Sequence, residues 1–567
     1  MTTSPFVLRV GRVSVLLLAL LSSAVPAATP SDFDVIIRRF CETKRLNVRL
    51  SDEMPVSEMV RTQASDGSWK DIDYLQAGRS YWMTTLHLTR ATVLAEDFRV
   101  RRNPASRDAV HRALAWWLRN KPRNPNWWFN AIGVPRLLAG CAILFDDELT
   151  PEERREIVKM LVASRPQRRM TGQNAAWLDE VGFLCGVISR DAALVRSSID
   201  GMLAEVKLSD REGITRDWCF HQHGRQPQFG NYGMGFLEGQ SRHAMLLADT
   251  SFAYPQEKLE LIRSLAGKGF SWIIWKGNMD VSAMGRQLFP DGQRSKAAIV
   301  QRAFGYLEKT GWRIPPPPRG FRFFDRSAYA VHRTGEWMAS VRASTSSIIG
   351  VETWINEDNV KGMCMADGAL LTYVTGREYE NVFPLWDDWR MIPGVTGYAG
   401  KPVGRKRMMN EADDVCASES GVGGTFSFTF RREGLVARKR WTFTDTDILC
   451  EGSGITASDG DYEVMTSVEE ANAADDAGVV YERPGEFCVR NGSICYVVYA
   501  PRESIRFEVA DRKGDFRDFM QAHPSCPVSG KVFSLRISHG VRPTGAAYRY
   551  RVIPAHGKTQ FQRVQPK

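Results

Sequence analysis

Apolar residues recur at helical spacing through the first half of the chain and at alternate positions in the second. Val110, Leu114, Trp117 and Leu118 fall on one face of a 3.6-residue period. Thr150-Pro151-Glu152-Glu153 has the form of a capping box with proline at the first helical position, and Ile157 and Leu161 supply the apolar face that follows. Similar segments run through Met202-Leu203, Leu259 to Leu265 and Ala297 to Leu307. The pattern predicts amphipathic helices from residue 32 to about 310. Joined by Gly/Pro-rich loops, helices of this length predict a helical barrel or toroid.

The period changes after Ile314. Pro315 to Pro318 cannot continue a helix and favour an extended spacer, so the domain boundary is placed there. Beyond it, Phe426, Phe428 and Phe430 alternate with Ser427 and Thr429, as in a half-buried strand. Ile494 to Tyr499 and Ala547 to Ile553 are further strand segments. Ser453-Gly454, Asp459-Gly460 and Asn491-Gly492 read as turns between such runs. The second half is therefore expected to be a β-sandwich.

A chain of 567 residues suits two large domains, and 43% hydrophobic content supports packed cores. The N-terminus reads as a signal peptide over residues 1–27. Arg9 and Arg12 precede the apolar run Val13 to Leu21, which is too short to span a bilayer, and Val25-Pro26-Ala27 offers a cleavage site. The mature protein is thus expected to be exported, periplasmic or extracellular, with no membrane span. Removing Arg9 and Arg12 lowers the formal charge from +10 to +8, which suits a polyanionic partner. The sequence shows no zinc-finger spacing and no basic-region heptads, so nucleic acid is not the expected polyanion. Export permits disulfides, and Cys488 and Cys495 flank the Asn491-Gly492 turn closely enough to pair.

The densest chemistry lies in His221-Gln222-His223-Gly224-Arg225-Gln226-Pro227-Gln228-Phe229-Gly230-Asn231-Tyr232-Gly233, whose glycines and proline place it on a loop. His221-x-His223 lacks a nearby carboxylate or cysteine set, so no metal and no cofactor is expected. Asn126-Trp127-Trp128, followed by Ile132-Gly133-Val134-Pro135-Arg136, puts two indoles beside a turn, where they can stack on sugar faces or pack a core. Thr171-Gly172-Gln173-Asn174 carries an amide able to bind a carboxylate, and Gly285-Arg286 offers a fixed cation. Each segment alone is weak.

Their order and intervals resemble polysaccharide lyase family 8, the family of hyaluronate, chondroitin AC and xanthan lyases. The resemblance continues through Asn356-Glu357-Asp358-Asn359-Val360-Lys361-Gly362 and Trp389-Arg390-Met391-Ile392-Pro393-Gly394-Val395-Thr396. Arg440-Trp441, Gly452-Ser453-Gly454-Ile455 and His539-Gly540 extend it further, so that it covers roughly residues 35 to 555. It implies an α+β multidomain fold, with an N-terminal (α/α) incomplete toroid over 28–314, a linker over 315–320 and an antiparallel β-sandwich over 321–567. It implies that Asn174 and His223 hold a uronate carboxylate, that Tyr232 takes the C5 proton and that Arg286 sits beside it. It also implies that Asn126, Trp127, Trp128 and Arg136 line the substrate cleft, and that Asp358, with Glu357 and Asn359, supports Arg286 from the β half.

The chemistry needs such a set. Removing a proton beside a carboxylate adds charge to an existing anion, so donors aimed at that carboxylate are required. A free tyrosine, with a pKa of about 10, is a poor base at neutral pH until a neighbouring cation favours the phenolate. The chain departs from the family pattern after Trp128, where Phe129, Asn130 and Ala131 stand. It departs again after Arg286, where Gln287-Leu288-Phe289-Pro290 replaces a segment that often holds a second arginine. Asp358 stands where the family carries a glutamate, and a further small β-sandwich is expected to be reduced or absent.

Two other classes compete. A glycoside hydrolase needs two carboxylates flanking the bond and a water. Asp179-Glu180 is the pair available for that, though it reads more simply as a solvated or N-terminal helix pair. A non-catalytic glycan-binding protein would keep the cleft without the quartet of Asn, His, Tyr and Arg.

Overall fold

A computed structural model describes residues 30–43, 54–164, 170–404 and 409–554. The expected signal peptide lies outside them. Helices dominate from Pro30 to Glu308 and strands from Gly320 to Pro554. Pro315–Pro318 lies between the Gly292–Glu308 helix and the Gly320–Phe324 strand.

The helices alternate between two environments. Thr85–Arg101, Val134–Leu144, Gly172–Ser189 and Met234–Leu247 are buried along most of their surface. The helices between them bury one narrow stripe, such as Ile157 and Leu161 in Pro151–Ala163, or Ile262, Leu265 and Ala266 in Gln256–Lys268. A helix apolar all round belongs in a core, and a one-sided helix belongs at its surface. The sequence therefore builds inner helices backed by outer ones, packed pairwise as an incomplete toroid. The capping box forms as expected: Glu153 N–H donates to Thr150 Oγ1 at 3.2 Å and Thr150 N–H to Glu153 Oε2 at 2.9 Å.

One buried ion cluster ties three inner helices together. Arg136 Nε donates to Glu180 Oε2 at 2.8 Å, Arg242 Nη2 bonds Glu180 Oε1, and the three residues lie on Val134–Leu144, Met234–Leu247 and Gly172–Ser189. This corrects the expectation for Asp179-Glu180. Glu180 is not solvated, because two remote arginines compensate its burial. Burial pushes its carboxyl up, but Arg136, Arg242 and His243 outweigh that and hold it at about 2.

The β half is antiparallel throughout its named strand pairs. Gly320–Phe324, Tyr329–Arg333, Met338–Ala343 and Asp367–Tyr373 form a sheet in sequence order. One apolar core runs from the helices onto this sheet, through Phe324, Tyr329, Val331 and Tyr373. A second core fills the sandwich between this and the larger sheets. Phe426, Phe428 and Phe430 are buried on alternate positions of Gly423–Arg432. Ile494–Val498 is buried at every position and is an interior strand of the eight-stranded sheet.

Two expectations change here. Ser453-Gly454 is no turn; it lies inside Ile448–Ala457, where the register shifts against both neighbouring strands and Gly454 takes φ +62°. A bulge and a turn both use glycine at positive φ, so the signal was real and its context different. Cys488 and Cys495 are free buried thiols. The hairpin register sets Cys488 against Val497 and Cys495 against Arg490, so the two cysteines are diagonal neighbours rather than a directly opposed pair.

Replacing Glu180 with Gln should leave two arginines buried without a counter-charge. We expect a loss of about 3–5 kcal/mol, read as a lower denaturant midpoint; an unchanged midpoint would show that the cluster does not hold the toroid.

Candidate active site

The loops that carry the chemistry meet where inner helices begin. Phe229–Gly233 forms a π-helical turn that leads directly into Met234–Leu247, and it carries Tyr232. A matching π-turn, Phe129–Gly133, leads into Val134–Leu144 just after Trp128. Asn174 sits in the first turn of Gly172–Ser189. Extra-residue turns of this kind re-aim side chains and recur at functional sites.

Glycines set the approach of the loops. A Cβ on Gly230 would lie 2.6 Å from Met284 Cα, so the absence of a side chain lets the Tyr232 turn rest on the backbone just before Arg286. Gly285 takes φ +73°, which turns the chain to present Arg286. Arg286 then lies over the Tyr232 ring, with its Cζ 5.8 Å from the centroid. The His223 ring stands edge-on to Tyr232 with centroids 4.8 Å apart. His223 holds φ +60°, a left-handed conformation that costs a non-glycine residue about 1–2 kcal/mol.

Asn174 is coupled to this group through Gln222. Gln173 N–H donates to Gln222 Oε1 at 2.9 Å, and Gln222 Nε2 donates to Thr171 O at 3.3 Å. The Asn174 loop and the His223 loop are thereby held side by side. Asn174 is itself buried, and its Oδ1 has no hydrogen-bond partner.

The supporting carboxylate is a residue the sequence reading missed. Glu352 Oε1 accepts from His223 Nδ1, and Glu352 Oε2 accepts from Arg286 Nη1. Burial pushes Glu352 up, but His223 and Arg286 outweigh it and hold the carboxyl at about 2. For Arg286, burial opposes the charge, while Glu352, Tyr232 and Asp358 raise its pKa above the usual arginine value. Asp358 is a lesser partner, with Oδ2 3.6 Å from Arg286 Nε. It is bonded instead by Ser80 Oγ at 2.7 Å and faces His523 Nε2 at 3.2 Å. Glu357 points into solvent and does not substitute for it. Asn359 supports Glu352 rather than Arg286, donating from Nδ2 to Glu352 O at 3.1 Å. The segment is strained: Trp354, Asn356, Glu357 and Asn359 all have positive φ.

Arg342, also missed, holds three of these loops at once. Its guanidinium bonds Ser282 O near Arg286 and Gly350 O near Glu352, and reaches Pro227 O near Tyr232 at 3.5 Å.

The aromatic segment divides. Trp127 is 41% exposed, while Trp128 is half-buried and stands edge-on to Trp177 with centroids 5.6 Å apart. Asn126 builds the loop rather than facing the cleft: Nδ2 donates to Arg79 O at 2.7 Å and Oδ1 accepts from Trp128 N at 3.1 Å. Arg136 lines the cavity but is ion-paired to Glu180. The histidines of His221-x-His223 take different partners, since His221 Nε2 faces Ser327 Oγ at 3.0 Å. A cavity of about 260 Å³ opens beside Tyr232 and Arg286, walled by Trp128, Arg136, Trp177, Met234, Gln287, Phe289 and Ile299 among others. Asn174 and His223 are not part of its wall.

Comparison with known proteins gives the family of the fold. Residues 42–300 match the N-terminal α-helical domain of polysaccharide lyase family 8, and residues 319–565 match its super-sandwich domain. The chain belongs to polysaccharide lyase family 8 and is a polysaccharide lyase. It is 25% identical to a chondroitinase-AC of Pedobacter heparinus over 93% of this chain and 80% of that protein. It is 24% identical to a hyaluronate lyase of Thermasporomyces composti over 95% and 81% of the two chains. Its fold matches that of a chondroitinase AC lyase solved with oligosaccharides, at a TM-score of 0.82 and 22% identity, covering 94% of this chain and 85% of that one.

The charge on Glu352 and Glu180 has a pH consequence. Both carboxyls are depressed in the folded chain, so their stabilisation is full above the ordinary glutamate range and is lost as pH falls towards 2. The melting temperature should drop between about pH 4.5 and pH 2. The drop should be shallower in Glu352→Gln; an identical pH profile for that variant would remove Glu352 from the account.

Proposed function

We propose that the chain cleaves a uronate-containing polysaccharide of the chondroitin, hyaluronan or xanthan type by β-elimination at Tyr232. The observation that carries this reading is the convergence of His223 and Arg286 on the one tyrosine, at the edge of a cavity and braced by a shared carboxylate. The relatives named above, a chondroitinase and a hyaluronate lyase, support the substrate class.

In this reading Asn174 and His223 bind the uronate carboxylate and stabilise the charge that develops when the C5 proton leaves. Tyr232 takes that proton. The C5–H electron pair becomes the C4–C5 double bond, the C4–O bond breaks, and a proton returns from Tyr232 to the departing oxygen. The products are an unsaturated uronate end and a free hydroxyl on the leaving sugar. Arg286 orients the Tyr232 hydroxyl and places a positive charge beside it. Trp127, the exposed indole, offers an apolar face to a sugar ring. No water attacks the chain, and the two-carboxylate alternative is weakened because Glu180 is fully engaged by Arg136 and Arg242. The N-terminal pattern of Arg9, Arg12 and the apolar run Val13 to Leu21 supports export, to meet a polymer too large to enter a cell.

Tyr232→Phe should lower turnover by about 10²–10⁴-fold while substrate binding is kept. The ultraviolet absorbance of the conjugated product, followed over a panel of uronate polymers, reads the rate. A variant with near-normal rate would take the proton transfer away from Tyr232, and chain cleavage without that absorbance would favour hydrolysis.

A further inference from the structure

Asp358 is fully buried, and its side-chain partners come from three separate stretches of chain. Ser80, on the loop before Thr85–Arg101, donates from Oγ to Asp358 Oδ1 at 2.7 Å. His523 Nε2 lies 3.2 Å from that same oxygen and 3.2 Å from Ser80 Oγ. The other oxygen, Oδ2, faces Arg286 Nε at 3.6 Å. We propose that His523 is a further positioning residue for the elimination: with Ser80 it holds one oxygen of Asp358, so that the other fixes the Arg286 guanidinium over Tyr232. The inference rests on the lyase reading above and adds to it a residue that acts through another.

The arginine needs a second carboxylate. Glu352 meets Arg286 at Nη1, and a planar guanidinium held at one nitrogen can still pivot about that contact. A partner at Nε, on a different edge of the plane, removes that freedom. Asp358 can do so only if its own carboxylate is kept from rotating. The Ser80 hydroxyl and the His523 ring nitrogen meet it at Oδ1, and in this role Nε2 carries a proton and donates. The loop that carries His523 is itself tied to the strained Asp358 segment. Gln521 N–H donates to Glu357 O at 3.0 Å, and Val360 N–H donates to Phe519 O at 3.0 Å. On the helical side, Asn124 Nδ2 donates to Gly78 O at 3.2 Å and Asn126 Nδ2 to Arg79 O at 2.7 Å, which fastens the Ser80 loop to the loop that leads into Trp127 and Trp128. The His523 ring stands edge-on to Phe289 of the cavity wall, with centroids 4.8 Å apart, and edge-on to Tyr81 at 5.7 Å.

His523→Phe keeps a ring against Phe289 and Tyr81 and removes the nitrogen; His523→Gln returns an N–H near the position of Nε2. His523→Phe should lower kcat on a uronate polymer about tenfold, with KM held within about twofold. His523→Gln should recover most of that loss. In an Asp358→Asn background, His523→Phe should cause no further loss of kcat, and thermal melting of each variant confirms folding. A wild-type kcat in His523→Phe would overturn the proposal, as would equal rates for the Phe and Gln variants, or a full additional loss in the Asp358→Asn background. A wild type that forms no unsaturated product would sink the lyase reading alone. The link to Arg286 would then be read from melting temperatures. The shifts of His523→Phe and Arg286→Lys should be non-additive in the double variant, because the histidine acts on the arginine through Asp358; additive shifts would overturn that link.

Discussion

The site depends on one carboxylate that serves two helical-domain residues from the β side. Glu352 meets His223 with one oxygen and Arg286 with the other. Neither contact is redundant. Without Glu352, the Arg286 charge would be left buried with only the longer contact to Asp358, and the His223 ring would lose the partner on its Nδ1 side. His223 and Arg286, which stand against Tyr232, are both held by this pair of contacts. The tyrosine turn itself is set by the close packing of Gly230 on Met284, and the three loops are clamped together by Arg342.

The same logic operates once more inside the toroid, where Glu180 joins Arg136 and Arg242. A buried carboxylate flanked by two guanidiniums does not gain much net stability over an apolar core of equal shape. Its value is in direction, because it fixes how three inner helices are rotated about their axes. Those helices begin at the loops carrying Trp128, Asn174 and Tyr232. The helices that lead out of these loops are thus joined to one another by a buried charge cluster.

Much of this was legible in the sequence, and the failures share one cause. Amphipathic periods gave the helices, the Thr150 box formed as read, and the Phe426, Phe428 and Phe430 alternation marked a strand. These are local patterns, set by neighbours within a few residues. The ordered motifs also marked Asn174, His223, Tyr232 and Arg286, and the structure brings the last three into contact around Tyr232. Glu352 was invisible because its partners lie 129 and 66 residues away. The nearby Asn356 to Asn359 run pointed to the right segment and to Asp358, which pairs with Arg286 at 3.6 Å, but not to Glu352, which meets it more closely. Glu180 was misjudged for the same reason: an acidic pair reads as surface until its remote cations are known.

A centre whose members are contributed by both halves of the chain also constrains how such a protein can change over generations. His223 and Arg286 lie in the part that matches one family domain, and Glu352 lies in the part that matches the other. Exchange of either half for a distant counterpart would separate the acid from the residues it serves. The two halves are therefore tied through one buried carboxylate, and a change on either side of it must be matched on the other.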